Sequence, residues 1–153
     1  MSTKLKIGID IDEVLVNQLE QVIEFYYSKT GKHIPLENFF SYKWWEVWGI
    51  SKEEAINIDS EFKLSPYFSK VTFVEGAKEA IFKLSNSYEL FFITSRALYL
   101  EKKTKIFIKK HFPEKQFKII FSNDFHIENP GKTKSDIGKE LNINFLIEDN
   151  AEY

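Results

Sequence analysis

The chain of 153 residues contains no cysteine, which removes disulfide scaffolds, thiolate metal sites and thiol nucleophiles and suits a reducing compartment. Its 3 histidines, His33, His111 and His126, are scattered with no pair at ligand spacing, so a metal site would have to use oxygen donors. Charge of one sign is also missing. Lys+Arg 21 against Asp+Glu 23 leaves a net charge of −2, and no basic field exists to hold polymeric nucleic acid or an anionic membrane. The 6 glycines stand at 8, 31, 49, 76, 131 and 138 and form neither G-x-G-x-x-G nor G-x-x-x-x-G-K, which excludes dinucleotide and P-loop cradles. No run of about 18 apolar residues occurs and MSTKLKIGID carries no apolar leader, so a soluble, cytoplasmic protein is expected. What is present, 43% hydrophobic and 16% aromatic residues, suits a single packed domain with room for an insertion.

Four short apolar segments bounded by turn formers read as buried parallel strands: Leu5 to Ile9, Leu90 to Ile93, Phe117 to Phe121 and Phe145 to Ile147. Helical patterns at Ala77 to Ser85, Leu98 to His111 and Ser135 to Leu141 alternate with the last three. That alternation predicts an α/β fold with a parallel sheet covered by helices. The lysines at 102, 103, 105, 109, 110, 115 and 118 read as a solvated face.

Between the first strand and Val71 lie about sixty residues, far more than a βα connection uses, so this interval is expected to be a structured insertion. Leu19, Val22, Ile23 and Tyr26 share one helical face, and Ser51 to Glu54 has the pattern of a capping box opening a helix with Ala55, Ile58 and Phe62. Residues 1–14 and 71–153 are therefore assigned to an α/β core, and 15–70 to a small helical cap. The cap contains FFSYKWWEVWG with all 3 tryptophans, Trp44, Trp45 and Trp48. These rings either fill the cap's own core or stack on a planar substrate group.

Chemistry concentrates at strand ends, where open α/β sheets bind ligands. Asp10 and Asp12 follow the first strand; Thr94, Ser95 and Arg96 end the second core strand with two hydroxyls and a cation for an oxyanion. Lys134 opens a helix in GKTKSDI, with Lys132 as a near rival, and Glu148 and Asp149 follow the last strand as hard oxygen donors suited to Mg²⁺. Each alone has an ordinary reading as a turn, an N-cap or a surface charge; their order gives the pattern its weight.

Two acids, a hydroxyl, a lysine and an acidic pair in this sequence order resemble the haloacid dehalogenase superfamily of phosphohydrolases. The wording DIDEVL, ITSR and KSDIGKELNINFLIED is similar to its 5′-nucleotidase and deoxyribonucleotidase branch. The resemblance implies a three-layer, Rossmann-like parallel sheet with a helical cap after the first strand. It further implies a Mg²⁺-dependent phosphomonoesterase acting on a small phosphorylated substrate, a nucleoside monophosphate. Asp10 would be the nucleophile and Asp12 the general acid and base. Thr94 and Lys134 would serve the phosphoryl group, with Ser95 and Arg96 as secondary phosphate contacts. Asp10, Asp12 (through its carbonyl), Glu148 and Asp149 would hold the metal, and Trp44 and Trp45 are the candidates for stacking. The family often has Asp-Asp where this chain has Glu148-Asp149, and its members usually continue for another strand and helix, whereas this chain ends four residues after Asp149.

Three other readings compete. A phosphatase of a sugar phosphate or another small monoester would keep the core and change the cap, and a degenerate member would only bind a phosphorylated ligand. A receiver domain uses similar residues, but its acceptor aspartate precedes its hydroxyl, whereas Asp124 follows Thr94.

Overall fold

A computed structural model describes residues 4–122 and 131–150; Asp124 and His126 lie outside the described residues. In chain order the elements are β1 (Lys6–Ile9), β2 (Val16–Asn17), α1 (Leu19–Thr30), α2 (Trp44–Trp48), α3 (Lys52–Leu64), β3 (Thr72–Phe73), α4 (Ala77–Ser87), β4 (Glu89–Thr94), α5 (Glu101–His111), β5 (Lys118–Phe121), α6 (Lys134–Glu140) and β6 (Phe145–Ile147). The chain divides into two compact units, Met1–Val16 with Phe73–Tyr153, and Asn17–Thr72. Among the described residues no helix is long and apolar enough to cross a membrane.

The first unit is built on a four-stranded sheet in the order β5-β4-β1-β6. Every pairing is parallel, so the strands all deliver their carboxyl ends to the same edge. The sheet is apolar on both faces because successive side chains point to opposite sides. Phe91 and Ile93 join Ile137 of α6 on one face. On the other, Phe92 packs against Phe112 and Phe117, and Phe112 also meets Phe82 of α4. The outer strands depart from the buried strands expected of the sequence. Phe145 and Ile147 of β6 are exposed, since an edge strand is covered by a neighbour on one side only. The stretch from Leu98 also differs: it opens as a 3-10 turn over Leu98–Leu100 before α5 begins.

Gly8 sits at the centre of this packing. A Cβ built there would lie 2.9 Å from Ile93 Cδ1 and 3.0 Å from Leu146 Cδ1. Both are flexible side-chain ends, so an alanine could be absorbed, but the two methyls of a valine have nowhere to go. Gly8→Val should cost about 1–3 kcal/mol of stability by overpacking, read as a lower urea midpoint at unchanged m-value.

The second unit is helical. Ser51 caps α3, its Oγ accepting from the Glu54 backbone N–H at 3.1 Å, and α1 stops at Gly31, whose φ of 71° is in the left-handed region. Phe25 of α1 meets Phe62 of α3, and Tyr26 stacks on Trp48 at 4.5 Å between ring centroids. Trp48 is thus a core residue of its own unit. Trp44 leans on Trp48, and Trp45 has the Lys52 ammonium over its ring; both remain half-buried.

Candidate active site

β1 ends at Ile9, and the Asp10 N–H donates to the Ile147 carbonyl at 3.0 Å, which fixes Asp10 at the carboxyl edge of the sheet between β1 and β6. The chain then turns tightly. Leu15 and Val16 both donate backbone N–H groups to the Ile11 carbonyl, and Glu13 donates to the Val16 carbonyl at 2.8 Å. Closing this turn puts Glu13 at φ 58°, a left-handed conformation that costs a residue with a Cβ roughly 1 kcal/mol. The buried side chains of Ile11, Leu15 and Val16 hold the turn in place.

Lys134 is placed by its helix. Thr133 and Asp136 form a reciprocal capping box, with the Asp136 N–H on Thr133 Oγ1 at 3.1 Å and the Thr133 N–H on Asp136 Oδ2 at 3.4 Å. The next residue, Lys134, therefore starts α6 in a fixed direction. It is only 1% exposed, and its Nζ lies 2.7 Å from Asp10 Oδ2 and 2.6 Å from Glu148 Oε2. Lys132, the rival, pairs with Glu140 at the surface. One buried ammonium thus joins the end of β1 to the end of β6.

Asp10, Glu148 and Asp149 each offer an oxygen to a common point, with those atoms within 4.8 Å of one another. Glu148 Oε1 is buried with no hydrogen-bond partner. Three carboxylates around one ammonium are short of positive charge, and an orphaned buried carboxylate oxygen is costly unless something binds it. This hard, anionic donor set fits Mg²⁺. The electrostatics agree. Burial pushes the Asp10 carboxyl up, Lys134 pulls it back, and Glu148 and Asp12 push it up again, leaving it at about 8. Burial likewise raises Glu148, against the opposing pull of Lys134.

Thr94, fully buried at the end of β4, accepts the Arg96 N–H on its Oγ1 at 3.2 Å. Ser95 Oγ shares a hydrogen bond with Ser122 Oγ. Arg96 is turned to Asp12: Nη2 meets Oδ1 at 2.7 Å and Nε meets Oδ2 at 2.9 Å. Its Nη1 donates to Thr104 Oγ1 on α5 at 3.2 Å. The first unit thus brings Asp10, Glu148, Asp149 and Lys134 into one cluster, with Asp12 and Arg96 joined beside it. Trp44 and Trp45 belong to the helical unit. Sequence reasoning overlooked Thr104 and the Thr133–Asp136 box; the second was visible as a T-x-x-D pattern ahead of an apolar residue.

Comparison with solved structures places the fold. A haloacid dehalogenase-like family hydrolase from Streptococcus pneumoniae superposes with a TM-score of 0.67 over 99% of this chain and 78% of that one, at 15% identity. The fold is that of the haloacid dehalogenase-like hydrolases. Within that class, the family model described as 5′ nucleotidase, deoxy (Pyrimidine), cytosolic type C protein matches residues 4–137, and the chain belongs to this family. It is accordingly a phosphoric monoester hydrolase. A candidate nucleotidase of Oceanobacillus iheyensis is 22% identical over 149 residues, covering 95% of this chain and 77% of the relative. One from Bacillus cereus is 24% identical over 159 residues, covering 91% and 84% respectively.

Proposed function

We propose that the chain is a Mg²⁺-dependent nucleotidase that hydrolyses nucleoside or deoxynucleoside monophosphates through an aspartyl-phosphate on Asp10. The observation that carries the reading is the buried Lys134 ammonium lying between Asp10 and Glu148. A carboxylate aimed at a dianionic phosphate monoester needs the charge on both partners offset before it can approach, and this is where the positive charge has been placed.

In this reading Asp10 attacks phosphorus in line, a bond forms from its carboxylate oxygen, and the bond to the leaving alkoxide breaks. Asp12 gives that alkoxide its proton, and then takes one from the water that splits the acyl phosphate. The products are the alcohol and inorganic phosphate, with Asp10 restored. The Thr94 hydroxyl, Ser95 and the backbone N–H groups of the Asp10–Asp12 loop are assigned to the phosphoryl oxygens. Bound Mg²⁺ would be held by Asp10, Glu148, Asp149 and the Asp12 carbonyl, and would supply further neutralisation of the phosphoryl group.

Residues 15–70 are read as the family's helical cap, with Trp44 and Trp45 assigned to a planar substrate group. A cytoplasmic location belongs to the same proposal and rests on the cysteine-free sequence. The test is phosphate release from nucleoside 5′- and 3′-monophosphates, sugar phosphates and p-nitrophenyl phosphate, each with Mg²⁺ and with EDTA. Preference for a nucleotide supports the reading, a preferred sugar phosphate moves the substrate class, and folded protein inert on the whole panel defeats it.

A further inference from the structure

Arg96 comes directly after the strand-end hydroxyls, where a guanidinium would be expected to grip phosphate, yet its fork is committed elsewhere. Nε and Nη2 hold both oxygens of Asp12, at 2.9 Å and 2.7 Å, across a sequence separation of 84 residues. Behind the fork, Nη1 is tied to Thr104 Oγ1, and the Arg96 N–H to Thr94 Oγ1. Arg96 is 5% exposed and Thr104 is fully buried, so the guanidinium has little room to swing away. The Asp12 side chain, by contrast, is 22% exposed. A planar fork on a fixed anchor sets the plane of the carboxylate it holds as well as its position.

We propose that Arg96 is a positioning residue for proton transfer: it aims the Asp12 carboxyl at the leaving oxygen and does not itself bind the phosphoryl group. The inference rests on the two-aspartate mechanism above. Proton transfer to a leaving group is worth about 10²–10⁴-fold and depends on alignment. Its importance also depends on the leaving group. An alkoxide from a nucleoside must be protonated as it departs, whereas p-nitrophenolate leaves as the anion. A fault in aiming Asp12 therefore damages one substrate far more than the other, while a fault in folding or in phosphate binding damages both alike.

The experiment compares kcat/KM, which reports the steps up to alcohol release, on the best nucleoside monophosphate and on p-nitrophenyl phosphate. Arg96→Lys keeps the charge and loses the fork, and Thr104→Val removes the anchor while leaving the fork intact. Arg96→Lys should lose about 30–100-fold on the nucleotide and only about threefold on p-nitrophenyl phosphate. Thr104→Val should show the same bias at smaller size. In an Asp12→Asn background, Arg96→Lys should add no further bias, because the group it aims is gone. Equal losses on both substrates, a raised KM on both at constant kcat, or a bias that survives in Asp12→Asn would each overturn the proposal. If wild-type turnover survives Asp10→Asn, the mechanism beneath the proposal fails and takes it along; bias-free losses in an enzyme that does need Asp10 sink the positioning role alone.

Discussion

Asp10→Asn should lower kcat/KM by at least about 10⁴-fold on every phosphomonoester the enzyme accepts, without unfolding it. The size follows from removing a nucleophile outright, because what remains of the site can bind and polarise but cannot form the covalent intermediate. Two neighbouring carboxylates are engaged elsewhere: Asp12 is held by Arg96, and Glu148 is turned to Lys134. The fold should survive because asparagine is nearly isosteric and its Oδ1 can keep the bond from the Ile11 N–H, 2.7 Å in the wild type. Lys134 keeps Glu148 as its counter-ion. Near neutral pH the metal-free Asp10 already carries its proton, so the substitution removes little charge, but it puts an amide NH₂ where Oδ2 faced Lys134, and the thermal midpoint should hold or fall slightly. Rapid quench with ³²P-labelled substrate and calorimetry would check both halves. Retained labelling of the protein, or turnover within tenfold of wild type, would rule out Asp10 as the nucleophile.

The elements that place this site were legible because each carries its own local period. The apolar runs expected over Leu5 to Ile9, Leu90 to Ile93, Phe117 to Phe121 and Phe145 to Ile147 fall on strands in the structure, and the carboxyl ends of the first, second and last carry residues singled out for chemistry. The choice between Lys134 and Lys132 turns on where the helix begins, which the T-x-x-D capping box at Thr133 fixes by making Lys134 its first residue. The Arg96–Asp12 fork was not legible. It joins residues 84 apart through a guanidinium whose direction is set by Thr104 on α5, and no periodicity encodes such a contact. The tryptophans show the same limit. Composition says that three rings must be covered, and only the packing shows that Trp48 is spent against Tyr26.

Adding Mg²⁺ to EDTA-treated protein should raise its thermal midpoint, and more at pH 8.5 than at pH 6. In the metal-free protein Asp10 titrates at about 8, far above the ordinary aspartate value of 3.8, so the folded state binds this proton more tightly than the unfolded chain does. Raising the pH from about 4 towards 8 therefore withdraws stability through this group, and the loss levels off above 8. A divalent cation at Asp10, Glu148 and Asp149 takes over the proton's role of relieving repulsion, and must displace that proton to bind. Below pH 8 its apparent affinity should climb by up to about tenfold per pH unit, and above it should flatten. At a hundredfold excess over the dissociation constant, the gain amounts to about 2.7 kcal/mol. Glu148→Gln, which removes a charged donor whose Oε1 is otherwise orphaned, should abolish most of the shift. Turnover should follow the metal, vanishing in EDTA and returning with Mg²⁺. Equal midpoint gains at the two pH values would mean that the cation does not compete with the Asp10 proton, and no gain at either would remove the metal from the site.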